Sequence, residues 1–166
     1  HRHDQTSYWL NDATEPVTAE GWEPDVQTDL AIEFIKANRQ KPFSLFLSYG
    51  PPHNPYELVP QKYLDMYRGI RLARRPNVPT DNGDTLRLYY AAITSLDANI
   101  GRLSKALADA GVAENTIFVF TADHGDMLGS QGHRLKQRPW EESINIPFIL
   151  RYPAKIAAGQ EQDWLV

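Results

Sequence analysis

Asp123 and His124 stand side by side at the end of the apolar run NTIFVFTAD. A carboxylate oxygen and an imidazole nitrogen on adjacent residues suit magnesium, manganese, calcium or zinc, and the pair alone does not choose among them. Gly125 lets the backbone turn away without a side-chain clash. The competing reading is that Asp123 caps a turn and His124 is an ordinary loop histidine. Lys136 follows across a loop containing Gly129 and Gly132. A lysine is a point charge for a tetrahedral anion and a proton donor to a leaving oxygen, or else a solvated surface cation. His133, Arg134 and Arg138 make this stretch locally positive in an acidic chain, and His133 is a further candidate for anion binding. Trp140, Glu141 and Glu142 read first as ring packing and helix capping, and only second as metal ligands. A second loaded loop is PPHNP, where Pro51, Pro52 and Pro55 hem in His53. Held there, an imidazole binds an anionic oxygen or acts as general acid to a leaving group; a plain loop histidine is the alternative.

Such residues need elements to hold them. From Pro24 the pattern is helical, with Val26, Leu30, Ala31, Phe34 and Ile35 on one face, fading near Asn38–Lys41. The run PFSLFLSYG predicts a strand ended by Gly50 and two prolines. A short helix is expected around Gln61–Tyr67. The strongest helix spans about 84–110, with Leu86, Tyr89, Ile93, Leu96, Ile100, Leu103 and Leu107 at helical spacing, Asp84 as cap and Gly111 as terminator. NTIFVFTAD and NIPFILRYP read as two further buried strands. Residues 1–23 read as an irregular approach and 68–83 as an exposed basic loop, with Tyr8, Trp9, Trp22 and the arginines of 71–75 facing substrate or merely packing. Strands alternating with helices imply an α/β fold with a mainly parallel sheet covered on both faces. Ligands bind at the carboxyl ends of such strands, so the loops after 43–49 and 116–121 are expected to meet at one rim.

The bulk composition bounds the rest. At 166 residues one domain is expected, and 42% hydrophobic residues suffice for a core. A formal charge of −4 with no long basic run argues against nucleic acid or an anionic membrane as partner. There is no cysteine, hence no thiolate nucleophile and no zinc–cysteine site. No apolar run approaches the ~20 residues of a membrane span. The opening HRHDQTSYWLNDATEP has neither an initiator methionine nor the apolar core of a signal peptide, and the ending GQEQDWLV reads as cut. The chain is expected to be a fragment, which leaves its compartment unread.

Three blocks together resemble the sulfatase family, formylglycine-dependent and arylsulfatase-like, within the alkaline-phosphatase-like superfamily. They are DVQTDLAIEFIKANRQKPFSLFLSYGPPHNPY, the helix through YYAAITSLDANIGRL, and NTIFVFTADHGDMLGSQGHRLKQRPWEESINIPFILRYP. The resemblance implies an α/β/α sandwich, incomplete at its N-terminal side, and makes residues 1–166 part of a catalytic domain. It implies hydrolysis of a sulfate monoester, on a small molecule or a glycan, through a covalent sulfo-enzyme. Asp123 and His124 match ligands of a divalent cation, calcium first and magnesium second; many relatives have asparagine where this chain has His124. Lys136 matches the lysine on the sulfate ester, and His53 the histidine on the sulfate or its leaving oxygen. The family's nucleophile, a formylglycine made in a Cys/Ser-x-Pro/Ala-x-Arg motif, has no match here; the nearest stretch, SQGHR, has glycine at its third position. The paired aspartates after the first strand and a further lysine and histidine are likewise unmatched, and in relatives all lie upstream. The chain is thus expected to start within the catalytic domain, to stop before the smaller C-terminal subdomain, and to be inactive alone. The resemblance fits an exported, periplasmic or lysosome-like setting, with the cytoplasm left open. The rivals are a phosphate or phosphonate ester hydrolase of the same superfamily and a non-catalytic anion- or glycan-binding module.

Overall fold

The computed structural model describes residues 2–80 and 82–163; His1, Asp81 and 164–166 lie outside the described residues. A polar hairpin comes first. Strand β1 (Gln5–Tyr8) pairs antiparallel with β2 (Val17–Glu20), Gln5 opposite Glu20 and Tyr8 opposite Val17. The irregular approach expected for residues 1–23 is therefore corrected. β1 (QTSY) carries no apolar alternation and the four residues of β2 (VTAE) are too few to announce a strand.

Helix α1 (Glu23–Asn38) starts where proline is tolerated, with Glu23 and Asp25 in the first turn facing the positive end of the helix dipole. Helix α3 (Gly83–Asp109) is about 40 Å long at 1.5 Å per residue. It packs along α1: Ala31 and Ile35 of α1 meet Leu103 and Leu107 of α3, with Phe43, Leu47 and Phe118 closing over them. Polar contacts fix the pairing. Asn99 Nδ2 donates to Asp25 Oδ1 at 2.7 Å, and Arg102 pairs with Asp29. A second cluster joins Trp22, Val59, Tyr63, Ala91 and Ala92, bringing helix α2 (Gln61–Asp65) onto the start of α3. Trp22 is core rather than a substrate-facing ring, its Nε1 donating to Ser95 Oγ at 3.1 Å. Asn82, not Asp84, occupies the cap position of α3, and Asp84 instead accepts from Arg87 Nη1 at 2.8 Å. Gly111 ends the helix as expected, at φ 74°.

The sheet departs most from expectation. Strands β3 (Phe118–Thr121) and β4 (Phe148–Arg151) pair with each other, antiparallel, Phe118 opposite Arg151. A parallel pair needs a covering crossover. The connection here holds a 3-10 turn (Ser130–Gly132), the four-residue helix α4 (Glu141–Ile144) and a loop that folds back on itself, so the chain returns antiparallel. Nor are these strands buried: β4 is exposed throughout. Residues 42–50 form no strand. They run extended with Phe43 and Leu47 turned onto the helices, while Phe46 is 92% exposed. A strand is defined by its ladder, and none is made to this run among the described residues. The chain exposes 11698 Å², against about 8,300 Å² for a compact monomer of this size.

Candidate functional site

β3 delivers Asp123 and His124. Asp123 projects into solvent with its side chain 87% exposed, while that of His124 is 32% exposed. His124 Nδ1 donates to the Gly125 carbonyl at 2.7 Å, and Nε2 faces Asp123 Oδ2 at 3.3 Å. Donation from Nδ1 fixes the neutral ring as the tautomer whose Nε2 keeps its lone pair, the usual arrangement of a metal-binding histidine. A nitrogen and a carboxylate oxygen thus converge, and the residues fit a divalent cation as part of its shell. Calcium takes six to eight oxygens and magnesium an octahedron, so further donors are needed. Among the described residues no group of three or more His, Cys, Asp or Glu gathers to supply them. Gly125 is required by space: its amide donates to the Ser143 carbonyl at 2.8 Å, and a Cβ there would stand 2.3 Å from the Glu142 carbonyl oxygen.

The chain then doubles back. Met127 N donates to Leu135 O and Gly129 N to His133 O, each at 2.8 Å, and Met127 and Ser130 are fully buried inside the loop. Four non-glycine residues of this loop have left-handed backbones: Leu128 (φ 44°), Gln131 (φ 55°), Leu135 (φ 61°) and Gln137 (φ 67°). Each such residue costs on the order of 1–3 kcal/mol and persists where surrounding contacts impose it. Lys136 sits between the last two. It is half-buried and makes no hydrogen bond or ion pair with another described residue, so its ammonium has no carboxylate to neutralise it. His133 stacks on Trp140 with ring centroids 5.2 Å apart and planes at 24°, which bears out ring packing for Trp140.

Arg75, Asn77 and Asn82 brace this loop from outside. Gln131 N donates to Asn77 O at 2.7 Å, Arg75 Nη1 to Ser130 Oγ at 3.3 Å, and Asn82 Nδ2 to the Leu128 carbonyl. Asn77 Nδ2 also donates to Glu142 Oε1 at 2.7 Å, holding that carboxyl below its ordinary range. Glu142 thus serves the scaffold.

His53 lies in a turn containing cis Pro51–Pro52 and Asn54–Pro55 bonds, its amide donating to Gly50 O at 3.1 Å. Its ring is exposed, and Nδ1 donates to the Asn54 carbonyl at 2.7 Å. The expected meeting of the two loops occurs, but not through parallel strands. Tyr56 donates its hydroxyl proton to Asp126 Oδ2 at 2.8 Å, and Asp126 Oδ1 accepts from Leu128 N at 2.8 Å. Burial, and then the carboxylate of Asp126, push the Tyr56 hydroxyl far above its ordinary range; the same causes push Tyr89 up to about 12. The structure thus puts Asp123 and His124 in contact, ties Lys136 to the same loop, and links the His53 turn through Tyr56. Tyr56 and Asp126 escaped sequence reading because they pair across 70 residues, and a tyrosine just after His-Asn-Pro was the one available hint.

Comparison with known proteins bears on what this arrangement does. The family model described as Sulfatase matches residues 2–164. An ulvan-active sulfatase of Formosa agariphila is 36% identical over 161 residues, covering 92% of this chain and 32% of that protein. An endo-4-O-sulfatase of Bacteroides thetaiotaomicron is 30% identical over 168 residues, covering 93% of this chain and 33% of that protein. In three dimensions, a sulfatase-assigned crystal structure from Bacteroides fragilis matches with a TM-score of 0.87 and 37% identity, over 93% of this chain and 36% of that one. The chain therefore spans about a third of the length of the relatives it matches.

Proposed function

The chain belongs to the sulfatase family and is part of its alkaline-phosphatase-like α/β fold, and from that premise we propose that it carries one side of a site hydrolysing sulfate monoesters. The observation that carries the proposal is the rim itself: an Asp123–His124 pair whose oxygen and nitrogen converge, on the same strained, buttressed loop as a half-buried lysine with no carboxylate partner among the described residues. The overall change adds water across the ester S–O bond, giving sulfate and an alcohol. Lys136 binds the non-bridging oxygens and neutralises charge that grows on them as the bond breaks. His53, protonated at Nε2, gives its proton to the leaving oxygen. Asp123 and His124 would hold calcium or magnesium, which would supply positive charge to offset that on the sulfate oxygens. The attacking group, a formylglycine, is assigned to residues outside this chain, which by itself is expected to turn over nothing. Sulfated glycans are the proposed substrate class, supported by the ulvan-active relative.

The test is turnover of 4-nitrocatechol sulfate and of sulfated glycans by the full-length protein, with and without chelator, beside this chain alone. Lys136→Ala should lower kcat/KM by roughly 10²–10³, the scale of losing one preorganised charge-stabilising donor. A full-length protein that prefers phosphate or phosphonate esters, or one that binds sulfated glycans without turnover, would overturn the reading. So would genuine turnover by the chain alone.

A further inference from the structure

His3 takes no part in the chemistry above, yet its imidazole is fully buried and both ring nitrogens are engaged. Nε2 lies 2.8 Å from the main-chain oxygen of His53, and Nδ1 lies 2.6 Å from Glu23 Oε2. A carbonyl oxygen only accepts, so Nε2 carries a proton, and the short contact at Nδ1 shares another with Glu23. Glu23 arrives from the first turn of α1. Its amide donates to the His3 carbonyl at 2.7 Å, and its second carboxylate oxygen accepts from Gln27 Nε2 at 3.2 Å. The same carboxylate presses on the other end of the turn: a Cβ on Gly50 would stand 2.7 Å from both of its oxygens. The Trp22 ring closes the pocket edge-on, 5.9 Å from His3.

The dyad thus grips Gly50 and His53, the two residues joined by the hydrogen bond of the turn. For stability alone this is a poor device, since apolar side chains of similar volume commonly serve as well as a buried ionic pair or better. What such a pair adds is direction. We propose that His3 and Glu23 are positioning residues for His53, fixing the backbone from which its ring reaches the leaving oxygen. The proposal rests on the reading of His53 as general acid.

The experiment compares His3→Ala, Glu23→Gln and His53→Ala in the full-length protein on two substrates. One is a sugar sulfate, whose alkoxide must be protonated to leave; the other is 4-nitrocatechol sulfate, whose phenolate leaves without help. His3→Ala should lower kcat on the sugar sulfate by roughly 10–100-fold, the effect of about 1 Å of misplacement, with little change in KM and a much smaller loss on the aryl ester. Glu23→Gln should lose far less. A rotated amide can donate to Nδ1 while Nε2–H stays on the His53 carbonyl. If His53→Ala is selective for the poor leaving group and His3→Ala is not, the proposal is overturned. If His53→Ala shows no such selectivity, the general-acid reading fails instead. Positioning is then decided by crystal structures: a displaced 50–56 turn in His3→Ala with an unmoved one in Glu23→Gln supports it, and an unmoved turn in both overturns it.

Discussion

Tyr56→Phe is the sharpest test of how the two halves of the rim are joined. The substitution removes one oxygen and keeps the ring, so the edge-on contact with Tyr89, 5.9 Å between centroids, survives. What is lost is the hydroxyl that donates to Asp126 Oδ2 at 2.8 Å. Hydrogen bonds to charged groups contribute about 1.5–3 kcal/mol, and because both residues are half-buried the lower end applies, about 1.5 kcal/mol. That corresponds to roughly tenfold in a local opening equilibrium. Hydrogen exchange read by mass spectrometry on the full-length protein measures that equilibrium directly. Peptides covering 53–58 and 124–130 should both exchange about tenfold faster, while peptides from the centre of α3 stay unchanged. Pairing the change with Asp126→Ala closes a double-mutant cycle in which the orphaned Leu128 amide cancels. A coupling no larger than the ~0.5 kcal/mol scatter of independent sites would refute the link.

Two more predictions address the same rim. Gly125→Ala places a methyl 2.3 Å from the Glu142 carbonyl oxygen, a backbone atom that cannot rotate away, so a loss of about 1–3 kcal/mol or more is expected, visible as a lower melting temperature. Tyr89→Phe should delete one late-titrating group, near pH 12, from the alkaline absorbance titration at about 295 nm, a wavelength that reports the tyrosinate defined by its ordinary ionisation near 10. Because its folded value lies above the unfolded one, Tyr89's contribution to stability is complete below the ordinary value of 10.0 and fades as pH rises toward 12.

The helices were legible because burial on them follows a period the residues themselves display. Ala31 and Ile35, then Leu103 and Leu107, are four apart and all buried. The same periodicity overreached at Phe34 and Ile93, both exposed, since a stripe does not reveal its width. Strand direction was not legible at all. The residues of β3 and β4 announce apolar strands, but whether they run parallel depends on what the chain does between them, here a self-bracing loop with one short helix. The site divides in the same way. The candidates His53, Asp123 and His124 stand out by residue type and by position after apolar runs, and Lys136 by residue type in a glycine-punctuated loop. The pairs that hold them, Tyr56 with Asp126 and His3 with Glu23, are long-range, and ordinary polar residues give no local sign of such partners.

The rim and the sheet beneath it also differ in where their order comes from. Asp123 and His124 are placed by the Gly125–Ser143 hydrogen bond, Lys136 by the Met127–Leu135 bond and its left-handed neighbours, and the His53 turn by His3, Glu23 and Tyr56. All of these contacts lie within this chain, so its share of the rim is preorganised by its own residues. The sheet is not. Val119, Phe148, Ile149 and Ile117 are all exposed on or beside β3 and β4, as is Phe46 on the unpaired run next to the helices. Apolar surface on that scale marks a face built for cover.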